Sequence, residues 1–361
     1  MFSSTTSQMT TTFEKFIEYV KIGNLQKVIE LVETNQVDAS ARDNEAIIEA
    51  AFYGHLAVVE YLSTLPRVDA SARINLAIIN AASNGYLTVV QYLSTLPGVD
   101  ASADNNGAIM FAVQNGHLEV IKYLLTLPNV VAYAHNNLAI KWAAQNGYLE
   151  VVEYLSKLPG VDASAQDNEP IINAAINGRL AVVKYLSTIT GVDASVKNNC
   201  AFVNAAGNGH LEVIQFLLTL SGVDPSAQNN RAIILASYHG HLAVVEYLST
   251  LPGVDASAQN NQAIINAASS RQFSLLAMLL YYEPKVAASL SSTYYNMYHK
   301  HLLSRLAPIV HKIAISLNEL PTPLIIEVIE QSIDFAIYIP YHIKWNMVVA
   351  IKHSRYILNK K

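Results

Sequence analysis

Apolar and polar residues alternate along this chain in one recurring pattern, shown by the stretch "NEAIIEAAFYGHLAVVEYLSTLPRVDAS" at residues 44–71. Ile47, Ile48 and Ala51 fall on one face of a short helix, and Leu56, Val58, Val59, Tyr61, Leu62 and Leu65 give a second helix a wide apolar stripe. Asn44 stands where an N-cap would, its side-chain oxygen ready to accept a free amide of the first turn. Gly54 ends the first helix, because glycine adopts the left-handed C′ conformation without a Cβ penalty. Pro66 disfavours helix at the residue before it and predicts the end of the second. The remaining "RVDASAR" must return in an extended or turn-like path to the next Asn.

The unit repeats without slipping. Glycines at 23, 54, 85, 116, 147, 178, 209 and 240 are 31 residues apart, a leucine follows each two residues later, and asparagines from Asn44 to Asn261 keep the same interval. Neither helix of one unit can bury its apolar face alone, so stacking closes the core and the end units must be atypical. The first, "FEKFIEYVKIGNLQKVIELVE", keeps the register through Phe16, Ile17, Gly23 and Leu25 but carries more charge. A ninth, from Asn261, has Arg271 for the glycine and Phe273 for the leucine. The expected architecture is an all-α helix-turn-helix solenoid of about nine units over 13–289, after a flexible start at 1–12. The register is lost from Leu290, and 290–361 reads as a small helical C-terminal domain of three or four helices.

Helix, Gly-His-Leu turn, helix and Val-Asp-Ala loop together resemble the ankyrin repeat. The match is carried by Ala50-Ala51, Ala81-Ala82 and Ala143-Ala144, by Gly-His-Leu at Gly54, Gly116, Gly209 and Gly240, and by the Val-Val-x-Tyr-Leu runs. The family's Thr-Pro-Leu-His tetrapeptide is replaced by forms such as Glu45-Ala46-Ile47-Ile48, and the unit is two residues shorter than the usual 33. Short, Asn-rich variants of this kind resemble arrays of amoebae and of the microbes and viruses that infect them, which would suit delivery into a host cytosol. The resemblance implies that first helices and loops line a concave surface that grips a protein partner.

A second resemblance lies in the tail. "LPTPLIIEVIEQSI", within 317–333, is similar to the opening helix of an F-box through Leu320, Pro321, Leu324 and Val328, with Pro323 where the family has an acidic residue. It implies recruitment of a Skp1-type subunit and a ubiquitin-ligase adaptor or effector role. The other reading of the same residues is a helical cap over the last repeat's apolar edge.

If the unit is scaffold, function belongs where its copies differ on one surface. The positions of Glu45, Glu49 and Phe52 vary most and are spaced i, i+4 and i+7, on the helical face opposite Ile47, Ile48 and Ala51. This face singles out Phe111, then Leu138, Trp142 and Gln145, then Arg231 and Tyr238. The stretch from Val131 to Gln145 diverges most, with Tyr133 for Ser, His135 in the loop and Lys141 beside Trp142. Adjacent exposed aromatics, Phe111 and Trp142 one copy apart, would suit an interface hot spot. Their other reading is sideways packing on neighbouring helices.

Composition narrows the rest. Net charge is −5, with 8 Lys/Arg against 4 Asp/Glu in 290–361 and 15 against 24 before it. The tail's cations are scattered, so neither part is a nucleic-acid-binding arm. One cysteine, Cys200, forms no internal disulfide and suits a reducing, cytoplasmic compartment. The polar start lacks a secretory signal's apolar segment, and no apolar run is long enough to cross a membrane.

The repeated Asp-x-Ser reads as an Asx turn rather than a calcium array, since each loop offers about one carboxylate. His55, His117, His210 and His241 read as structural hydrogen bonders, and Cys200 has no base at a fixed spacing. The five tail histidines from His299 to His353 are separated by apolar helix and do not read as metal ligands. No cofactor, metal or catalytic group is expected, an active site in the 72-residue tail being the weakest reading. The chain is expected to act as a monomeric protein-binding module.

Overall fold

The structure, a computed structural model, describes residues 2–270 together with 272, 275, 276 and 279. The candidate ligase-recruiting residues Leu320, Pro321, Leu324 and Val328, the whole of 290–361, and Arg271 and Phe273 lie outside them. The chain divides into two compact units, one of Met1–Ala174 with Arg179–Asp193, the other of Ala175–Gly178 with the residues from Ala194 on.

Helices come in pairs, and the described residues contain no strand. The first unit holds α1 (Phe2–Lys21), α2 (Leu25–Glu33), α3 (Ala41–Phe52), α4 (Leu56–Ser63), α5 (Ala72–Ser83), α6 (Leu87–Leu93), α7 (Ala103–Gln114) and α8 (Leu118–Leu124). It continues with α9 (Ala134–Asn146), α10 (Leu149–Leu155), α11 (Ala165–Ile176), whose last two residues are counted with the second unit, and α12 (Leu180–Leu186). The second unit holds α13 (Val196–Gly207), α14 (Leu211–Leu217), α15 (Ala227–His239), α16 (Leu242–Ser249) and α17 (Ala258–Ser269). Residues 2–12, expected as a flexible start, are the leading part of α1.

Within the first unit α1, α3, α5, α7 and α9 lie side by side, and α2, α4, α6 and α8 form a second row behind them. In the second, α15 packs between α13 and α17. The core is the row that the periodicity marks: Ile47, Ile78, Ile109, Ile140 and Ile171 are fully enclosed, as are Leu62, Leu93, Leu124 and Leu155. Each such side chain contributes about 2–3 kcal/mol by leaving water.

The loop departs from expectation. Arg42, Asp43 and Asn44 have φ of 53°, 54° and 64° with positive ψ, a turn of left-handed helix that precedes the right-handed one. Equivalent triplets recur down to Gln259, Asn260 and Asn261. A left-handed residue with a Cβ costs roughly 1–2 kcal/mol, less for Asn and Asp.

Asn44 is therefore no N-cap. Its amide donates to the Ser40 carbonyl at 3.1 Å, and its Oδ1 accepts the backbone N–H of Asp69, one unit on, at 2.8 Å. The same clamp joins Asn75 to Asp100, Asn106 to Val131, Asn137 to Asp162, Asn168 to Asp193, Asn199 to Asp224 and Asn230 to Asp255, at 2.8–3.0 Å. The left-handed backbone turns the side chain toward the neighbouring loop, where an N-cap geometry would have turned it back on its own helix.

The Asx turn is present as expected: Asp38 Oδ1 accepts the Ser40 amide at 2.9 Å and its hydroxyl at 2.7 Å, and Asp69, Asp100, Asp162, Asp224 and Asp255 do the same for the serine two residues on. Those two bonds from Ser40 hold the Asp38 carboxyl below the ordinary carboxylate range, with Arg67 adding a little.

Proline is not what stops the second helix. α12 and α14 end at the same place as α6 although Thr190 and Ser221 stand where Pro97 does. A threonine recurs at the stop instead: Thr64, Thr95, Thr188 and Thr219 each donate a hydroxyl to a last-turn carbonyl three residues back, at 2.6–2.7 Å.

Candidate binding surface

The variable face is built by the stack itself. With Ile47-type residues inward, the i, i+4, i+7 positions of α3, α5, α7 and α9 point away from the second row of helices. Phe111 is 40% exposed on α7. Trp142 on α9 is half-buried, not exposed, and makes no ring contact with Phe111. The expected pair of adjacent exposed aromatics is thus one exposed ring and one half-buried ring. Leu138 is half-buried and Gln145 exposed, its backbone carbonyl accepting from Arg179 Nε at 3.2 Å.

Tyr133 is 49% exposed and lies where other copies have Ser71 or Ser164. Its ring covers Gly160 of the next loop so closely that a Cβ there would come within 2.8 Å of it. His135 Nε2 is 3.3 Å from the Asn105 carbonyl, to which it can donate.

Lys141 occupies the position of Ile48, Ile79 and Met110, all buried. Its ammonium is held by Glu169 at 2.9 Å and Gln166 Oε1 at 3.2 Å, with the side chain only 21% exposed, so its charge is already satisfied within the chain. Arg231 and Tyr238 belong to the second unit, both exposed, and form a separate candidate there.

The opposite edge, at the turn between paired helices, explains the recurring glycine and histidine. His55 Nε2 donates to the Lys21 carbonyl at 2.8 Å, and its ring lies over Gly23. Gly23 has φ +69°, and a Cβ on it would stand 2.6 Å from the ring, so both conformation and space require glycine. Tyr86, His117, Tyr148 and Arg179 cover the glycines of their preceding copies in the same way. In the second unit burial pushes the His241 pKa below the ordinary value, the nearby His239 and His210 adding to it and a bond to the Gly207 carbonyl opposing it.

This edge also holds residues that sequence reasoning passed over. Ile22 is 67% exposed, Tyr53 41% and Tyr86 36%, with Phe52 of the variable face beside Tyr53 at a ring-centroid distance of 5.0 Å. The signal was available: the position of Tyr53 is Asn in five successive copies, and Asn115 and Asn146 there donate to carbonyls of the preceding copy at 2.8 and 2.9 Å. Ile22 and Tyr53 forgo that bond.

Among the described residues no group of three His, Cys, Asp or Glu converges as metal ligands, and no helix is long and apolar enough to cross a membrane. Cys200 Sγ accepts from Asn204 Nδ2 at 3.0 Å.

A family model described as "Ankyrin repeats (3 copies)" matches residues 78–167, 140–229, 171–260 and 203–289, an unbroken span of more than half the chain. The chain belongs to the ankyrin-repeat family. No curated protein matches it. The family's members are protein-protein interaction modules, which sets the frame for the surfaces above. In this ankyrin chain the loops are locked to one another by the Asn-to-backbone clamps, which leaves the residue after each Asn free to change.

Proposed function

We propose that the chain binds a protein partner through the first-helix face of the unit that contains α3 to α9, the concave face of an ankyrin array, with Phe111, Leu138 and Tyr133 as principal contacts. Trp142 supports that surface from a half-buried position, and Gln145 and His135 border it. The observation that carries this reading is the contrast within each copy: the Asn clamp and the Ile47-type core are constant, while the outward positions change from copy to copy and place exposed Phe111 among uncharged neighbours.

Substituting Phe111→Asp should abolish retention of the partner in affinity capture from cell extract, while changing stability by no more than about 0.5 kcal/mol. Tyr53→Asn, on the turn edge, should leave retention intact. Loss with Tyr53→Asn and retention with Phe111→Asp would move the interface to the turn edge.

A further inference from the structure

We infer that the turn edge of the first unit takes an arginine side chain from a partner protein, its guanidinium donating to the Phe52 carbonyl among the rings of Phe52, Tyr53 and Tyr86. This contact is separate from the Phe111 surface and does not depend on it.

Each copy brings to this edge a last-turn carbonyl of its first helix, at the end where the peptide dipoles sum to partial negative charge. In the first unit the next copy satisfies it. The Lys21 carbonyl accepts from His55 at 2.8 Å, that of Ser83 from Asn115 at 2.8 Å and from His117 at 3.0 Å, and that of Gln114 from Asn146 at 2.9 Å. The Gln145 carbonyl accepts from Arg179 Nε at 3.2 Å, with the Arg179 side chain laid over Gly147.

Phe52 is the exception. Tyr86 stands where His117 and Arg179 do, and its ring covers Gly54. Tyr148 is the same replacement, but there Asn146 supplies the bond. Asn84, at the position of Asn146, gives its amide to the Asn80 carbonyl of its own helix at 2.9 Å. Among the described residues no side chain donates to the Phe52 carbonyl.

Aromatic rings gather at that carbonyl. Phe52 and Tyr53 meet edge to face, Tyr53 lies parallel to His55 at 6.4 Å between centroids, and Phe52, Tyr53 and Tyr86 are all exposed. A negative helix end and aromatic faces attract a cation, and a cation with N–H groups also meets the open acceptor. Arginine suits both better than lysine, because its planar fork stacks on rings and is weakly hydrated. Arg179 already makes the equivalent bond three copies on. Lys21, at the position of Phe52 one copy earlier, is engaged with Glu49 at 3.6 Å. Exposed Ile22, at the position of Tyr53 one copy earlier, extends the apolar surface, which fits a segment with an apolar residue beside its arginine.

The test pans random peptides displayed on phage against the full chain and against Tyr86→Arg, Tyr53→Asn and Phe111→Asp, each checked for a cooperative circular-dichroism melt. Tyr86→Arg supplies the guanidinium from within, as Arg179 does for Gln145. Wild type should select peptides with Arg beside an apolar residue, and these should lose affinity by at least about tenfold with Tyr86→Arg and less with Tyr53→Asn. Phe111→Asp should leave them bound. Should Tyr86→Arg not fold, Phe52→Ala, which removes a ring and keeps the carbonyl, carries the comparison with Tyr53→Asn. Peptides that depend on Phe111 alone would overturn this inference and leave the first-helix surface standing. Edge-dependent peptides without Arg, or no selected peptides, would overturn it too. A wild-type dimer in sedimentation that Tyr86→Arg converts to a monomer would put a second copy on this edge and overturn the choice of partner.

Discussion

Asn75 and Leu76 are neighbours in the chain and opposites in behaviour. Asn75 is buried and repeated in each copy from Asn44 to Asn261; Leu76 is half-buried and is replaced by Glu, Gly, Cys, Arg or Gln elsewhere. The difference lies in what each side chain meets. Asn75 meets a backbone N–H, and backbone is the same in every copy, so one residue type serves throughout. Leu76 is only half-buried and meets side chains, which differ between copies, so no single residue type is required there.

The largest effect should come from breaking the constant side. Asn75→Ala removes the partner of the Asp100 amide and places Ala at φ 63°, and is expected to cost about 3 kcal/mol. Urea unfolding would measure it, with faster hydrogen exchange at the Asp100 amide as the local sign. A midpoint unchanged within error would mean that the clamp contributes nothing.

A smaller effect of opposite sign is expected from repairing the one irregular turn. Ile74→Asn should stabilise the chain by about 1 kcal/mol, since Asn tolerates the left-handed conformation and little apolar burial is lost. Destabilisation would show that Ile74 packs against its neighbours after all.

Smallest is a pH effect at His241. Its pKa is lowered in the folded chain, so the unfolded chain takes up a proton first. The stability it contributes is complete above the ordinary value near 6.5 and lost as pH falls from there through the lowered folded value. His241→Tyr, the residue that Tyr86 and Tyr148 supply at this position, should flatten the fall in melting temperature between about pH 8 and about pH 5. A wild-type slope equal to the variant's would show that the burial at this ring does not matter.

Much of this was legible in the residues. Glycine spacing, the Ile47-type and Leu62-type rows and the Asp-x-Ser phrase led to the helix pairs, the core and the turn that the structure contains. The candidate surface was legible in part: Phe111 is exposed as the outward spacing of α7 requires, but Trp142 and Lys141 are not free. Lys141 stands in an apolar row, and only the approach of Glu169 from the next copy shows what satisfies it. The Ile22 and Tyr53 edge was overlooked because exposure at a turn depends on what the next copy places above it.

By itself the sequence determined the unit, its length, its inward rows and the positions free to vary, because a repeated backbone forces repeated solutions wherever a side chain meets it. Tertiary structure alone decided the left-handed turn and the direction of the Asn side chain. Asn before a helix fits an N-cap and a cross-unit clamp equally well, and the choice belongs to a backbone N–H 25 residues further along the chain. No local pattern can announce a partner that only stacking brings within reach.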